Sequence, residues 1–247
     1  MKKNVLFSAL ALVFLWLVWL IAYFAVRNDY VIPSFRETLS CALNYLADGG
    51  FWTALGNTFA RTLVAFALSL VLGTGLAALT VQVAWIRAFF APVISVLRTL
   101  PTMAIVLMLL LWTTPSVAPV IVCLLVLFPA VYSAALSALD DVKQGYGELA
   151  AVYRVSAGRK FFRMYLPLVA PDLLRQSGGI FSMGLKVTVS GEVLSLTYRS
   201  LGGLMQDAKT YLQTPRLFAL TLVTVLLGFA LEGLCFLVYK LVVRWRA

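Results

Sequence analysis

The reading turns on Asp140–Pro171, DDVKQGYGELAAVYRVSAGRKFFRMYLPLVAP. No other stretch of this length is so unacceptable to a bilayer, and apolar runs long enough to cross a membrane lie on both sides of it. Lys143, Arg154, Arg159, Lys160 and Arg163, with Arg175 just beyond, stand against the acids Asp140, Asp141 and Glu148. A polar connection of this length is too long for a simple turn, and such connections are usually functional or disordered. The pattern does not predict disorder. Tyr146, Leu149, Val152 and Tyr153, then Phe161, Phe162 and Tyr165, recur at helical spacing. They predict two short amphipathic helices with a break near Val155 to Gly158. Pro167 and Pro171 close the segment and start the next apolar run. Two readings stay open on this pattern alone: a solvated loop, or a docking element that shows an aromatic, basic surface to a soluble partner.

The rest of the chain sets the context. Of its 247 residues 62% are hydrophobic and 12% charged, with a mean hydropathy of +0.95. That excludes a soluble globular domain and predicts one polytopic, all-α domain over 1–247, embedded in a lipid bilayer. A formal charge of +10 would suit nucleic acid. The basic residues, however, sit at the ends of apolar runs rather than along one polar face, so no nucleic-acid partner is expected. Cys41, Cys123 and Cys235 have no metal-type spacing and read as small hydrophobes, and the sequence has no histidine. No metal site is expected.

Six transmembrane helices are predicted, at 5–26, 60–82, 91–112, 117–138, 171–196 and 217–240, each near the ~20 residues a crossing needs. Apolar runs of this length can satisfy their backbone in lipid only as helices. Met1-Lys2-Lys3 and the run from Val5 to Val26 read as a retained first span, because the run is longer than a signal-peptide core and lacks a small-residue cleavage site. With the N-terminus inside, thirteen Lys and Arg face the cytoplasm and six face outward. The expectation is a plasma-membrane protein with both termini and the 140–171 segment cytoplasmic. Between the first two spans, at 33–50, Ser34 reads as an N-cap with Glu37 in capping-box position, Leu39, Leu43 and Leu46 share a face, and Gly49-Gly50 reads as the stop. This amphipathic segment is expected either on the outer membrane surface or against the external ends of the bundle. In the second span Ala65, Ser69, Gly73 and Ala77 form a ridge of small residues, a seam for close helix packing.

Against this topology, Glu148-Leu149-Ala150, Arg154 and Leu166-Pro167 resemble the EAA loop of permeases of type I ABC importers. That pattern is Glu-Ala-Ala, three residues, Gly, and Leu-Pro thirteen residues further on. Glu148, Ala150 and Leu166-Pro167 match it; Leu149 replaces the first Ala and Arg154 the Gly. The resemblance implies a cytoplasmic coupling helix over Glu148–Tyr153 that fits a groove on a separate ATPase subunit. Glu148, Leu149, Ala150, Ala151, Tyr153, Arg154, Arg159 and Pro167 are the residues it implicates. Arg98-Thr99-Leu100-Pro101-Thr102 resembles the Leu-Arg-x-x-Pro that opens the corresponding span in importers of the nitrate, sulfonate and taurine group. Arg98 also reads as an anchor at the cytoplasmic interface. Pro101 marks a helix start or kink. The predicted turn Arg199–Leu204 is similar to a Gly-Leu-Gly turn of the same group; a short polar helix over Asp207 to Thr214 is predicted after it. The resemblance covers about Val31 to Trp245.

Ionisable residues inside a span default to a functional reading. Lys186 and Glu192 in the fifth span and Glu232 in the sixth qualify. Ser182, Lys186 and Ser190, four apart, predict a polar stripe, with Glu192 about a third of a turn away. Ser182, Lys186, Ser190, Glu192 and Arg98 are therefore the candidates for a translocation pathway. An internal Lys186–Glu192 or Lys186–Glu232 ion pair is the competing reading.

No phosphate loop, nucleophile elbow, zinc pattern or dinucleotide fingerprint is present, so no enzymatic activity and no cofactor are expected. ATP would be bound by the partner. Two functions remain. The first is a permease subunit working as a dimer, a homodimer by expectation, with two ATPase subunits and an extracytoplasmic solute-binding protein. The second is a stand-alone secondary transporter using Lys186 and Glu192 as a charge relay, a reading internal repeats would favour, and none is visible. The solute stays open between an anion such as nitrate or a sulfonate and a thiamine-precursor pyrimidine.

Overall fold

The computed structural model describes residues 2–153 and 157–242, and among them every element is helical. The first helix, α1, is Lys2–Val26. Trp19 attaches it to the rest: the indole N–H donates to the Pro33 carbonyl at 3.2 Å, and the ring meets Phe35 and Phe218 at centroid distances of 5.7 and 5.5 Å. Next comes α2, Phe35–Ala47, capped as the sequence predicts, with Ser34 Oγ accepting the Glu37 N–H at 3.2 Å. Thr38 and Ala42 are buried and the helix packs on the last helix of the chain, while Leu39, Leu43 and Leu46 face away from the protein.

The glycine pair expected to stop α2 does follow its end at Ala47, and it also opens α3, Gly49–Gln82. Asp48 serves both helices. Its N–H donates to the Tyr45 carbonyl at 3.1 Å, and its carboxylate accepts the Gly50 N–H at 2.9 Å. A carboxylate N-cap offsets the poor helix propensity of the two glycines. The second span therefore begins well before residue 60. At 34 residues, α3 is ~51 Å long, more than the ~30 Å hydrocarbon core. Its ridge Ala65, Ser69, Gly73 and Ala77 is buried. A Cβ on Gly73 would lie 2.9 Å from Val131 Cγ1 and 3.0 Å from the Tyr132 nitrogen. Only glycine lets the backbones of α3 and α6 come this close.

The expected third span is broken. Helix α4, Ala84–Thr99, and α5, Thr102–Leu109, meet at 91°. Leu100 is extended (ψ 128°), as a residue before proline tends to be, and Pro101 then starts the new helix. Helix α6 is Ala118–Val152. It joins the fourth span to the first half of the predicted cytoplasmic segment in one 35-residue helix, with Pro129 inside it. Asp140 is no boundary, because polar residues end contact with lipid without ending the hydrogen-bond ladder.

A single turn, α7 (Ala157–Lys160), and a π-helical turn (Phe161–Tyr165) lead into α8, Leu166–Ser195. Pro167 lies in the first turn of α8, where a missing N–H leaves nothing unsatisfied, and Pro171 lies inside the helix. After α8 come α9, Leu201–Thr210, and α10, Thr214–Val242. The residues Leu201–Leu204, expected in a turn, are the first turn of α9, whose N-cap Ser200 accepts the Gly203 N–H at 2.9 Å.

Helices α3, α6 and α8 form the centre, and α10 packs on the outer side of α8. One core joins Ala77, Val81, Tyr132, Leu139 and Val169; another, toward the other end, joins Phe51, Leu185, Val189, Leu201 and Leu220. By length and apolarity three helices are able to cross a membrane: α3, the Ala118–Tyr146 part of α6, and α10. The bent α4–α5 pair makes a fourth if it counts as one broken span. The six-span expectation is met only to this extent. Helix α8 falls short of that apolarity because Asp172, Arg175, Lys186, Glu192 and several serines interrupt it.

Candidate functional site

The first candidate surface lies where α6 runs out. Glu148, Leu149, Ala150 and Ala151 lie in its last turns, and Tyr153, just past its end, is 74% exposed. Arg154 lies outside the described residues. Arg159 in α7 and Pro167 in α8 are both exposed. The root of this projection is fixed by contacts that the sequence did not disclose. Arg87 donates to both oxygens of Asp140, at 3.1 and 2.9 Å. Lys143 Nζ donates to the Val81 carbonyl at 2.8 Å, satisfying a carbonyl left free at the end of α3. Two charges that looked like solvated loop charges thus hold α6 to the corner between α3 and α4.

Glu192 is buried, with no exposed surface. Its Oε1 accepts from Arg61 Nη1 at 2.9 Å, and its Oε2 accepts from Thr58 Oγ1 at 2.8 Å and the Gly202 N–H at 3.2 Å. Thr58 in turn accepts the Leu201 N–H at 3.0 Å. The carboxylate therefore joins α3, α8 and the amides that open α9, where an anion is favoured. Gly202 is required here, since a Cβ would sit 2.6 Å from the Val189 carbonyl oxygen. The ion pair the sequence suggested, Lys186–Glu192, is replaced by Arg61–Glu192. Arg61 was missed because the second span was read from residue 60, which put Arg61 at its lip, whereas the next helix follows the end of α2 at once. With α3 starting at Gly49, Arg61 lies more than three turns inside the helix.

Lys186 and Ser190 border a cavity between α8 and the beginning of α5. Among the described residues Lys186 has neither an ion pair nor a hydrogen-bond partner, and Glu232 does not reach it. Ser182 is not part of this cavity. It is buried against α10, where a Cβ on Gly228 would come 3.0 Å from its hydroxyl. Residues four apart drift by ~40° per step, so two steps turn Ser182 away from Ser190. Arg98, in the last turn of α4, donates to Ser133 Oγ on α6 and does not line the cavity either. The stripe is thus divided between a cavity and a helix contact.

Comparison with known proteins follows this geometry. The taurine transport system permease protein TauC of Escherichia coli is 22% identical over 220 residues, covering 87% of this chain and 80% of its own. The formylaminopyrimidine transport permease protein ThiX of Halalkalibacterium halodurans is 24% identical, over 87% of this chain and 85% of its own. The putative aliphatic sulfonates transport permease protein SsuC of Escherichia coli is 25% identical, over 87% and 82%. Among solved structures, a crystal structure of an amino acid ABC transporter with histidines superposes with a TM-score of 0.63, over 79% of this chain and 93% of that one, at 17% identity. That likeness concerns the fold. Residues 69–244 match the family described as binding-protein-dependent transport system inner membrane component, and the chain, with its long apolar helices and projecting α6, belongs to that family.

Proposed function

We propose that the chain is the permease subunit of an ATP-driven importer, taking a small polar or anionic solute into the cell. In this reading α1, α3, the bent α4–α5 pair, α6, α8 and α10 make six crossings, with both termini and the α6–α8 connection on the cytoplasmic side. A second copy completes the pathway, two ATPase subunits bind below, and an extracytoplasmic binding protein delivers the solute. The observation that carries the reading is the continuation of α6 beyond its apolar part to Val152, with the chain returning through Leu166-Pro167. A helix that continues beyond its apolar part and ends within Glu148–Tyr153 can act as a lever. Arg87 and Lys143 join its root to the α3–α4 corner. A displacement imposed at the tip when ATP closes the ATPase pair is then carried into α3, α4 and α6 together, swinging the pathway from inward- to outward-facing. Relatives named for taurine and for aliphatic sulfonates support an anionic or zwitterionic solute, and the one named for formylaminopyrimidine keeps a pyrimidine in view.

The test is Glu148→Arg. ATPase-coupled uptake is expected to disappear, with the variant still folded and inserted in the membrane. A variant that co-purifies with the ATPase and transports at the wild-type rate would remove the coupling assignment. The charge-relay alternative finds no support in the geometry, since Glu192 is buried with Arg61 and Lys186 lies on another face of α8.

A further inference from the structure

The cavity between α8 and α5 has a volume of about 180 Å3. Its polar contributors are Lys186, Ser190 and Thr102, and Met103, Val106 and Leu194 make much of the apolar remainder. No carboxylate is among the residues lining it. Thr102 opens α5, and that helix start has no side-chain cap, so its first amides remain available as donors. The polar inventory is therefore one ammonium, two hydroxyls able to donate, and uncapped amides. An unpaired lysine in a membrane helix is tolerated where water reaches it, and such residues mark solute pathways. Lys186 lines the cavity, through which water would reach it, and is exposed and unpartnered among the described residues.

We propose that this cavity is a weak binding site for a small monoanionic solute with a short aliphatic body. Lys186 meets the charge, Ser190 and Thr102 donate hydrogen bonds to it, and Met103, Val106 and Leu194 cover the aliphatic part. The volume is below the ~300 Å3 at which pockets for drug-sized ligands begin, so the solute is small. One solvated ammonium gives modest affinity, as a carrier that must release its cargo requires. The proposal rests on the importer reading, to which it adds a charge preference residing in the membrane subunit itself.

The experiment uses the full-length chain in lipid nanodiscs, without ATPase or binding protein. Lysines are acetylated with the N-hydroxysuccinimide ester of acetic acid and followed by peptide mass spectrometry. Ethanesulfonate is compared with the neutral ethyl methyl sulfone and with chloride at equal ionic strength. The expected result is that tens of millimolar ethanesulfonate slows acetylation of Lys186 at least threefold while the sulfone and chloride do not. Lys209 and Lys240, both exposed, keep their rates. Three results would each overturn the proposal: a Lys186 that is never acetylated, equal protection by the sulfone, or parallel slowing of Lys209 and Lys240. Since no ATPase is present, a failure here leaves the Glu148→Arg result standing, and a failure there leaves this one standing.

Discussion

Glu192 and Lys186 lie six residues apart on α8 and carry charge through a membrane helix in contrasting ways. Their side chains leave the helix ~120° apart, and that rotation decides everything else. Glu192 is surrounded by groups suited to it: Arg61, Thr58, the Gly202 amide and a glycine contact that lets α9 approach. Lys186 meets a cavity and, among the described residues, no partner. A charge whose neighbours are all in place belongs to the scaffold, because moving it would strand several buried groups at once. A charge left open keeps its capacity for something that arrives and leaves.

The contrast is broken most severely at Glu192. Glu192→Ala leaves the Arg61 guanidinium, the Thr58 hydroxyl and the Gly202 amide without their acceptor. Loss of one partner from a buried pair costs ~3–5 kcal/mol. The purified chain in detergent should lose most of its yield and unfold at a clearly lower temperature. Glu192→Gln keeps an acceptor and should cost less, on the order of 1–3 kcal/mol. Equal thermal stability of Glu192→Ala and wild type would show that the carboxylate does not hold α9 to α3.

At Lys186 the same kind of change should leave stability alone. Lys186→Met removes no interaction within the protein, so its unfolding temperature should match the wild type. Uptake in the assembled transporter should instead respond, with an apparent KM for an anionic solute raised about tenfold, the effect of ~1.4 kcal/mol. Arg175→Met, an exposed change earlier on the same helix, should do much less. If both substitutions are silent in transport, Lys186 is a structural residue and the contrast with Glu192 loses its functional half.

Much of this was legible in the sequence, for local reasons. The small-residue ridge of α3, the Ser34 cap and the new helix at Pro101 each follow from what one or two side chains permit. What failed depended on distant partners. Hydropathy marks where lipid ends, so the span limit near residue 138 was mistaken for a helix limit, and the full length of α6 went unread. Gly49-Gly50 did mark the end of α2, but with Asp48 as cap it also opens α3, well before the span start read near residue 60. That single misreading hid Arg61, and with it the partner of Glu192. The polar stripe on α8 was real as a spacing but not as a face, since the 3.6-residue repeat carries Ser182 onto α10.

The smallest effect, and the sharpest for the cavity, comes from the two serines flanking Lys186. They have the same chemistry and the same spacing from the lysine, and they differ in placement: Ser190 lines the cavity and Ser182 packs on α10. A neutral hydrogen bond contributes ~0.5–1.5 kcal/mol net. Ser190→Ala should therefore weaken protection of Lys186 by ethanesulfonate by roughly two- to tenfold in half-maximal concentration. Ser182→Ala should leave that concentration where it is, because its hydroxyl is not available to a solute beside Lys186. The two variants should unfold within a degree or two of the wild type, which keeps the comparison free of folding effects. Equal weakening by both would mean that the stripe acts as one face after all, and that α8 is rotated in the membrane relative to the arrangement described. Weakening by neither would leave Lys186 alone with the anion and take Ser190 out of the site.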